Sequence, residues 1–257
     1  MSNDATSTGT VDRVALMLRV LAEADGELSV AQVTERMKLP TSTTHRLLGL
    51  LVSTGLAERS NRPGMYRVGL EFLRLGGLVV SRTEITSLAE EFMRRVTDAT
   101  EETSVLNLYV PSEQKGMIVK VIYGRHPLRI EQELYKASPL MFGALCRGIL
   151  SFLPDDVIDA VLAKREPSPV TGRPLTDLKS AKREFAAIRE QGYALSKGQR
   201  TQGAVGMAAP VFKGHGKVIA SLCVTMPATR FSEQREGKIA QVLLGESRKL
   251  SAALGSS

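Results

Sequence analysis

Apolar residues recur every three or four positions near the start of the chain, a spacing typical of amphipathic helices. Residues 11–23 predict a first helix, and residues 30–37 predict a short second helix with Val33 and Met37 on one side. Ser29, which stands just before the second helix, is a favourable N-cap. The pattern therefore predicts two short helices whose apolar sides can pack together.

A third predicted helix opens with the segment LPTSTTHRLLGLL, residues 39–51. Pro40 is favoured near a helix start, so we expect Thr41 or Ser42 to cap this helix. Gly55 should follow its end. At about 100° per residue, the helix has an apolar side and a polar side. The apolar side holds Thr44, Leu47, Leu48 and Leu51, and the polar side holds Ser42, His45, Arg46, Gly49 and Ser53.

The polar side of this third helix indicates DNA binding. An ordinary solvated face would favour Glu and Lys, whereas this one offers short donors, one guanidinium and a glycine. Such a helix fits a major groove about 12 Å wide. The hydroxyls of Thr41 and Ser42 and the helix N-terminus would hold phosphates. Arg46, together with His45 or Thr43, would contact base edges. The alternative is a small helical bundle whose polar stripe faces only water.

After Gly55 the pattern changes to alternating apolar and polar residues around the segment NRPG. This change predicts a β-hairpin with its turn at residues 61–64. Three helices followed by a hairpin make a winged helix-turn-helix. The hairpin carries arginines that we expect to contact phosphates or the minor groove. They are Arg59, Arg62 and Arg67.

The rest of the chain alternates between helical and strand patterns. Helices are predicted at residues 70–82, 85–99, 140–152, 156–164, 177–191 and 232–254. Strands are predicted at residues 103–110, 117–123, 204–212 and 217–226. Strand pairs that are joined by tight turns and interleaved with helices predict an α+β fold with an antiparallel sheet.

Charge narrows the class of partner. The 257 residues carry a net charge of +7, which favours a polyanionic partner. Residues 1–82 hold ten Lys and Arg against eight Asp and Glu, and residues 83–257 hold 24 against 19. The excess is therefore not concentrated near the third helix. Residues 38–67 nevertheless hold five basic residues against one acid, Glu58. This local cluster supports DNA contact more than the overall charge does.

The composition also sets aside several classes of protein. No apolar run reaches the length of about 18 residues that would span a membrane. The first ten residues, MSNDATSTGT, lack the basic and apolar regions of a secretory signal, so we expect residues 1–9 to form a disordered tail. Cys146 and Cys223 have apolar neighbours and no metal-ligand spacing. We therefore expect buried thiols in a reducing cytoplasm, with neither a metal nor a cofactor.

Several of these segments closely resemble IclR-family transcriptional regulators. The resemblance rests on LPTSTTHRLLGLL and YRVG in the N-terminal part, and it continues through GRHPLRI, SFLP, REQGYA and AAPVF to the last helix. It implies a winged helix-turn-helix DNA-binding domain over residues 10–69, a linker helix over residues 70–82 and a GAF-like effector-binding domain over residues 83–257. It also implies a palindromic double-stranded DNA operator, a small organic effector, and assembly as a homodimer or a dimer of dimers. Repression is the commoner outcome in the family.

The resemblance further implies an effector pocket beside the helix that follows the segment SPL. The family segment LPLHATALGKA is SPLMFGALCRG here, so Met141, Phe142 and Gly143 replace His, Ala and Thr. Backbone N–H groups near Gly143 and Ala144 could still bind a carboxylate. The pocket positions carried over from the rest of the family pattern fall on Ser196, Gly206, Cys223 and Thr225.

These substitutions predict a less polar pocket with room at Gly206 and an aromatic wall at Phe142 or Met141. We therefore expect a larger, partly apolar effector such as an aromatic acid or a related amide. One alternative is that Met141 and Phe142 pack in the core and the pocket is vestigial, which would make a ligand-independent regulator. Another alternative is an enzyme that processes small molecules, against which the missing nucleophile–base set argues.

Overall fold

The structure is a computed structural model that describes residues 9–82 and 84–256. Contacts within the chain divide it into two compact units, one ending at Thr83 and the other beginning at Glu84. Of the expected tail at residues 1–9, all but Gly9 lies outside the described residues. The backbone N–H of Gly9 donates to Asp12 Oδ2 at 3.0 Å, so Gly9 belongs to the start of the first helix.

The first unit combines short helices with a small antiparallel sheet. Helices α1, α2, α3 and α4 span Thr10–Ala22, Val30–Met37, Thr41–Ser53 and Leu70–Arg82. Strands β1, β2 and β3 span Leu28–Ser29, Ala57–Arg59 and Met65–Val68 and lie in the order β1-β3-β2. The predicted helices and hairpin are present, with α1 shifted by one residue. The sequence does not predict β1, because two residues are too few to show an alternating pattern.

The second and third helices begin in different ways. Ser29 Oγ accepts from Gln32 N at 3.2 Å, and Gln32 Oε1 accepts from Ser29 N at 2.8 Å, which is a capping box. The N-cap of α3 is Pro40 and not the predicted Thr41 or Ser42, because the helix already begins at Thr41. The hydroxyls of the first turn are therefore not used for capping, and both residues stay exposed.

The second unit is built on a six-stranded antiparallel sheet in the order β6-β5-β4-β9-β8-β7. Strands β4 to β9 span Thr103–Val110, Lys115–Ile122, Ala137–Pro139, Ala194–Lys197, Ala204–Lys213 and Lys217–Pro227. Helices α5 to α9 span Glu84–Thr100, Ala144–Leu150, Asp155–Ala163, Leu178–Gln191 and Glu233–Ala253. This arrangement confirms the α+β class and the antiparallel sheet expected from the sequence.

Alternate residues of the sheet enter two separate cores. Val105 and Cys223 pack in the core that α6, α7 and α8 cover, whereas Leu106 and Leu222 pack in the core that α5 and α9 cover. Because both faces are covered, the central strands β4 and β9 are buried along most of their length instead of alternating between buried and exposed residues. Among the described residues, no helix combines the length and the apolar character that a membrane span requires.

The predicted helix at residues 140–152 is wrong in its bounds. The observed α6 has seven residues, and its N-cap Gly143 has a φ of 81°. This left-handed conformation interrupts a helix, so residues 140–143 form a turn. Leu140 and Met141 are buried all the same, which explains the apolar pattern. The short strands β6 and β7 are also missed by the prediction, because three or four residues carry little pattern.

Candidate DNA-binding surface and effector pocket

The outer side of α3 presents the polar stripe that the sequence predicts. Ser42, His45, Arg46, Gly49 and Ser53 are exposed, together with Thr41. The opposite side is closed, since Thr44, Leu47, Leu48 and Leu51 are buried in the core of the first unit or at its edge. Thr43 is half-buried. The stripe has the chemistry of a helix that lies in a major groove: short donors, one guanidinium and no carboxylate.

One exposed residue on α3 was missed by the sequence analysis. Leu50 lies one turn beyond Arg46 and is 47% exposed. An apolar side chain on this side of the helix suits the methyl group of a thymine, which is an apolar feature of the major groove. The signal was available in the sequence, because residues at positions i and i+4 lie on the same side of a helix.

The wing is the hairpin of β2 and β3. Its three predicted arginines are all exposed, but one of them is held in an ion pair. Arg59 and Arg62 are exposed, and Arg62 lies in the turn, where its backbone N–H donates to Ser60 Oγ at 3.1 Å. Arg67 is also exposed, but its Nε lies 3.1 Å from Glu58 Oε1 on the neighbouring strand. The charge of Arg67 is therefore partly offset before any DNA arrives.

The second unit contains a pocket that brings together five of the eight predicted effector residues. Ser196, Gly206 and Thr225 face one another across β7, β8 and β9, in direct register. Gly143 and Ala144 close the pocket from the start of α6. The cavity there has a volume of about 30 Å³. A Cβ on Gly206 would lie 3.4 Å from Ala144 Cβ, so the glycine keeps the floor open.

The other three predicted residues do not line this pocket. Met141, Phe142 and Cys223 pack in the apolar core beneath α6. The Met141 carbonyl accepts from Arg147 Nε at 2.9 Å, which fixes the turn before the helix. Because residues 140–143 form a turn instead of continuing the helix, no described residue lining this pocket is aromatic. Phe142 lines an adjoining cavity that also includes Arg200 and Thr201.

Several lining residues come from segments that the sequence analysis did not assign. Arg200 lies in the loop between β7 and β8, and a Cβ on Gly143 would meet its side-chain stem at 3.1 Å. Arg200 Nη2 donates to Ser138 Oγ at 3.0 Å, and its Nη1 lies 3.9 Å from Cys146 Sγ. The buried Oε1 of the neighbouring Gln199 has no hydrogen-bond partner among the described residues. The remaining unassigned lining residues are Ile130, Gln132, Leu145, Thr201 and Ala204.

The two thiols near the pocket are buried. Burial is the main cause that raises the pKa of Cys146, and it also raises the pKa of Cys223. Both thiols therefore stay protonated and serve as small apolar groups, as the sequence predicts. Within the described part of the chain, no cluster of His, Cys, Asp and Glu could hold a metal ion.

Two family models match most of the chain. The model described as "Bacterial transcriptional regulator IclR C-terminal" matches residues 77–252, and the "IclR helix-turn-helix domain" matches residues 10–61. The chain belongs to the IclR family. This family consists of DNA-binding transcriptional regulators and not of enzymes, so the chain is a helix-turn-helix transcriptional regulator.

Curated relatives of the IclR family extend over nearly the full length of the chain. The regulator KdgR of Escherichia coli is 26% identical and covers 97% of this chain and 94% of its own length. The regulator KipR of Bacillus subtilis is 27% identical over 87% of this chain and 90% of its own. The transcriptional repressor AllR of Escherichia coli is 23% identical over 95% and 90%.

Solved structures show the same fold. An IclR-type regulator from Silicibacter sp. has a TM-score of 0.85 at 24% identity and covers 97% of both chains. An IclR homologue from Microbacterium hydrocarbonoxydans, solved in complex with 4-hydroxybenzoate, has a TM-score of 0.78 at 22% identity and covers 97% of this chain and all of that one.

Proposed function

We propose that this IclR-family protein is a repressor that binds a palindromic operator and is controlled by a small organic effector. It would bind DNA through α3 and the wing of its first unit. It would bind the effector in the pocket between α6 and strands β7, β8 and β9. Since its operator is DNA, we place the protein in the cytoplasm.

The outer side of α3 is the observation that carries the proposal for DNA binding. Exposed residues there include Thr41, Ser42, His45 and Arg46, and none of them carries a negative charge. Phosphates attract the hydroxyls and the start of the helix, whereas Arg46 can form paired hydrogen bonds to guanine. The exposed Arg62 at the tip of the wing adds a contact that does not depend on sequence.

A palindromic operator requires two copies of the first unit, and α4 supports a dimer. Leu70 and Leu73 on α4 are each 71% exposed, and Phe72 and Leu75 are exposed as well. A helix with so much uncovered apolar surface is expected to be covered by another surface. We assign that surface to a second copy of the chain, with a homodimer or a dimer of dimers as the result.

The pocket of the second unit supports a small effector that is partly apolar. Its lining combines the apolar side chains of Ile130, Ala144 and Leu145 with the hydroxyls of Ser196 and Thr225. The cavity of about 30 Å³ is smaller than typical small-molecule sites, so the pocket would widen when the effector binds. The homologue from Microbacterium hydrocarbonoxydans was solved with 4-hydroxybenzoate. We therefore keep an aromatic acid or a related amide as the proposed effector.

The proposal is tested by a gel shift with the DNA upstream of the protein's own gene and of the neighbouring genes. Excess random DNA serves as the competitor. We expect a shifted band that survives the competitor and is released by one member of a panel of aromatic acids and amides. A specific shift that no ligand changes would indicate a ligand-independent regulator. No specific shift on any of these promoters would contradict a role in local repression.

A further inference from the structure

One partly buried arginine of the second unit has no carboxylate partner among the described residues. Five described arginines of this unit are at least partly buried. Four of them form ion pairs: Arg95 with Glu246, Arg147 with Glu184, and both Arg230 and Arg235 with Glu102. The fifth, Arg200, forms no ion pair with any described residue, and its contacts are the Ser138 hydroxyl and the Cys146 thiol.

A guanidinium offers five N–H donors, so a hydroxyl and a distant sulfur leave most of the hydrogen-bonding capacity of Arg200 unused. Glu166 is the nearby carboxylate: its charge contributes, less than burial does, to the raised pKa of Cys146. Glu166 nevertheless forms no ion pair with Arg200. Keeping an arginine partly out of water without a counter-ion is unfavourable. The carboxylates that pair with the other four arginines show what this fold supplies when an arginine has a structural role.

Arg200 lies at the effector pocket, and it is the single charged side chain among the described lining residues. The other lining side chains are either apolar or neutral and polar. A ligand that carries a carboxylate would accept a charge-assisted pair of hydrogen bonds from the unused N–H groups of Arg200 and would balance its charge. A neutral amide of the same shape would offer one acceptor and would place an extra donor against the cation.

We propose that Arg200 selects the charge of the effector, so that the pocket takes an organic monocarboxylate and rejects the corresponding amide. This inference rests on the proposed function and narrows it to one of its two ligand classes. It assigns the role of anion anchor to a side chain from the loop between β7 and β8. The start of α6, which the sequence analysis favoured for this role, belongs to a helix of seven residues only.

The test compares acid and amide pairs on the full-length protein. Titration calorimetry is carried out with benzoate and benzamide and with 4-hydroxybenzoate and 4-hydroxybenzamide, on the wild type, Arg200→Met and Arg183→Met. Arg183 is an exposed arginine of α8 and serves as the matched control. We expect the wild type to prefer each acid over its amide by about tenfold or more. Arg200→Met should lose that preference, and Arg183→Met should keep it.

A thermal melt separates anchoring from a structural role in which Arg200 braces β6 through Ser138. If Arg200 is an unpaired cation kept for the ligand, Arg200→Met should melt at or above the temperature of the wild type. Arg230→Met, which removes one partner of the buried Glu102, should melt lower. A fall in the melting temperature of Arg200→Met as large as that of Arg230→Met, with acid and amide weakened equally, would overturn the inference.

The two proposals can fail separately. Release of the operator complex by an amide and not by its acid would leave the proposed function standing and would overturn the role of Arg200. Equal binding of acid and amide to the wild type would do the same. Absence of any acid binding at millimolar concentration would also overturn the role of Arg200, whereas the gel shift alone decides the function in DNA binding.

Discussion

Arg46 and Arg62 carry the same charge, but we propose that they contact different parts of the DNA. Arg46 lies on the outer side of α3 and Arg62 lies in the turn of the wing. We expect Arg46→Ala to weaken operator binding by about 1–3 kcal/mol and to relax base preference at one position. Arg62→Ala should weaken binding to all DNA about equally and lower the salt dependence.

Binding isotherms on operator and random DNA at several salt concentrations measure both effects. Arg183→Met, which changes an exposed arginine of the second unit, is the control for a general loss of charge. If Arg46→Ala weakened operator and random DNA to the same extent, Arg46 would be a phosphate contact and the assignment of base recognition would fail.

The ion pair between Glu58 and Arg67 holds a carboxylate within the proposed DNA-binding surface. Glu58→Gln should free Arg67 for a phosphate, which raises the affinity for all DNA and steepens the salt dependence by about one counter-ion. The double variant Glu58→Gln/Arg67→Ala removes the freed cation and should show no such gain. An equal gain in the single and double variants would mean that Glu58 simply repels the DNA backbone.

The sequence was sufficient for residues whose position follows from a helical period. The buried Thr44 and the exposed Arg46 of α3 are both placed correctly by a rotation of about 100° per residue. Arg200 could not be placed in this way, because it lies in a loop whose path depends on packing against Gly143. Its lack of a carboxylate partner is a property of three-dimensional contacts, and no sequence pattern encodes it.

At the scale of elements, Gly143 determines where α6 begins. Its φ of 81° is strained for any residue with a Cβ, and that Cβ would lie 3.1 Å from Arg200 Cβ. Gly143→Ala should therefore lower the free energy of unfolding by about 1–2 kcal/mol. Gly237→Ala is the matched control, since Gly237 is exposed within α9 and a Cβ there meets nothing within 4 Å.

We expect Gly237→Ala to stabilise the protein by about 0.5–1 kcal/mol, because alanine is the better helix former. Chemical denaturation of both variants, followed by circular dichroism, measures the two changes. If Gly143→Ala were neutral, the start of α6 would have to adopt another backbone conformation in solution. The conformational requirement also explains why apolar spacing overestimated this helix: residues 140–143 are apolar because they are buried, and not because they are helical.

The whole-molecule prediction concerns assembly. If a second copy covers α4, the double variant Leu70→Ser/Leu73→Ser should dissociate the first units from one another and weaken binding to a palindromic operator by at least tenfold. Binding to a single half-site should change little, because α3 and the wing are untouched. Sedimentation velocity and half-site titration measure these effects. A variant that keeps the mass and operator affinity of the wild type would rule out α4 as the interface.

The architecture of both units could be predicted from the sequence, since long periodic segments such as α5 and α9 carry strong signals. The order of the sheet could not, because β4 lies between β5 and β9, and β9 follows more than a hundred residues later. The cross-strand row of Ser196, Gly206 and Thr225 depends on that register. Only the family resemblance connected these positions before the structure did.

The burial of the two thiols has a practical consequence for following the protein in solution. Cys146 and Cys223 are the chain's two cysteines, both belong to the second unit, and both are inaccessible to solvent. A thiol-modifying reagent therefore has no target on the DNA-binding unit, and it reaches its targets only when the sheet and α6 separate. The rate of modification therefore measures how often the second unit opens, without an engineered label. A ligand that binds beside α6 should lower the rate of thiol modification, even where it changes neither absorbance nor fluorescence.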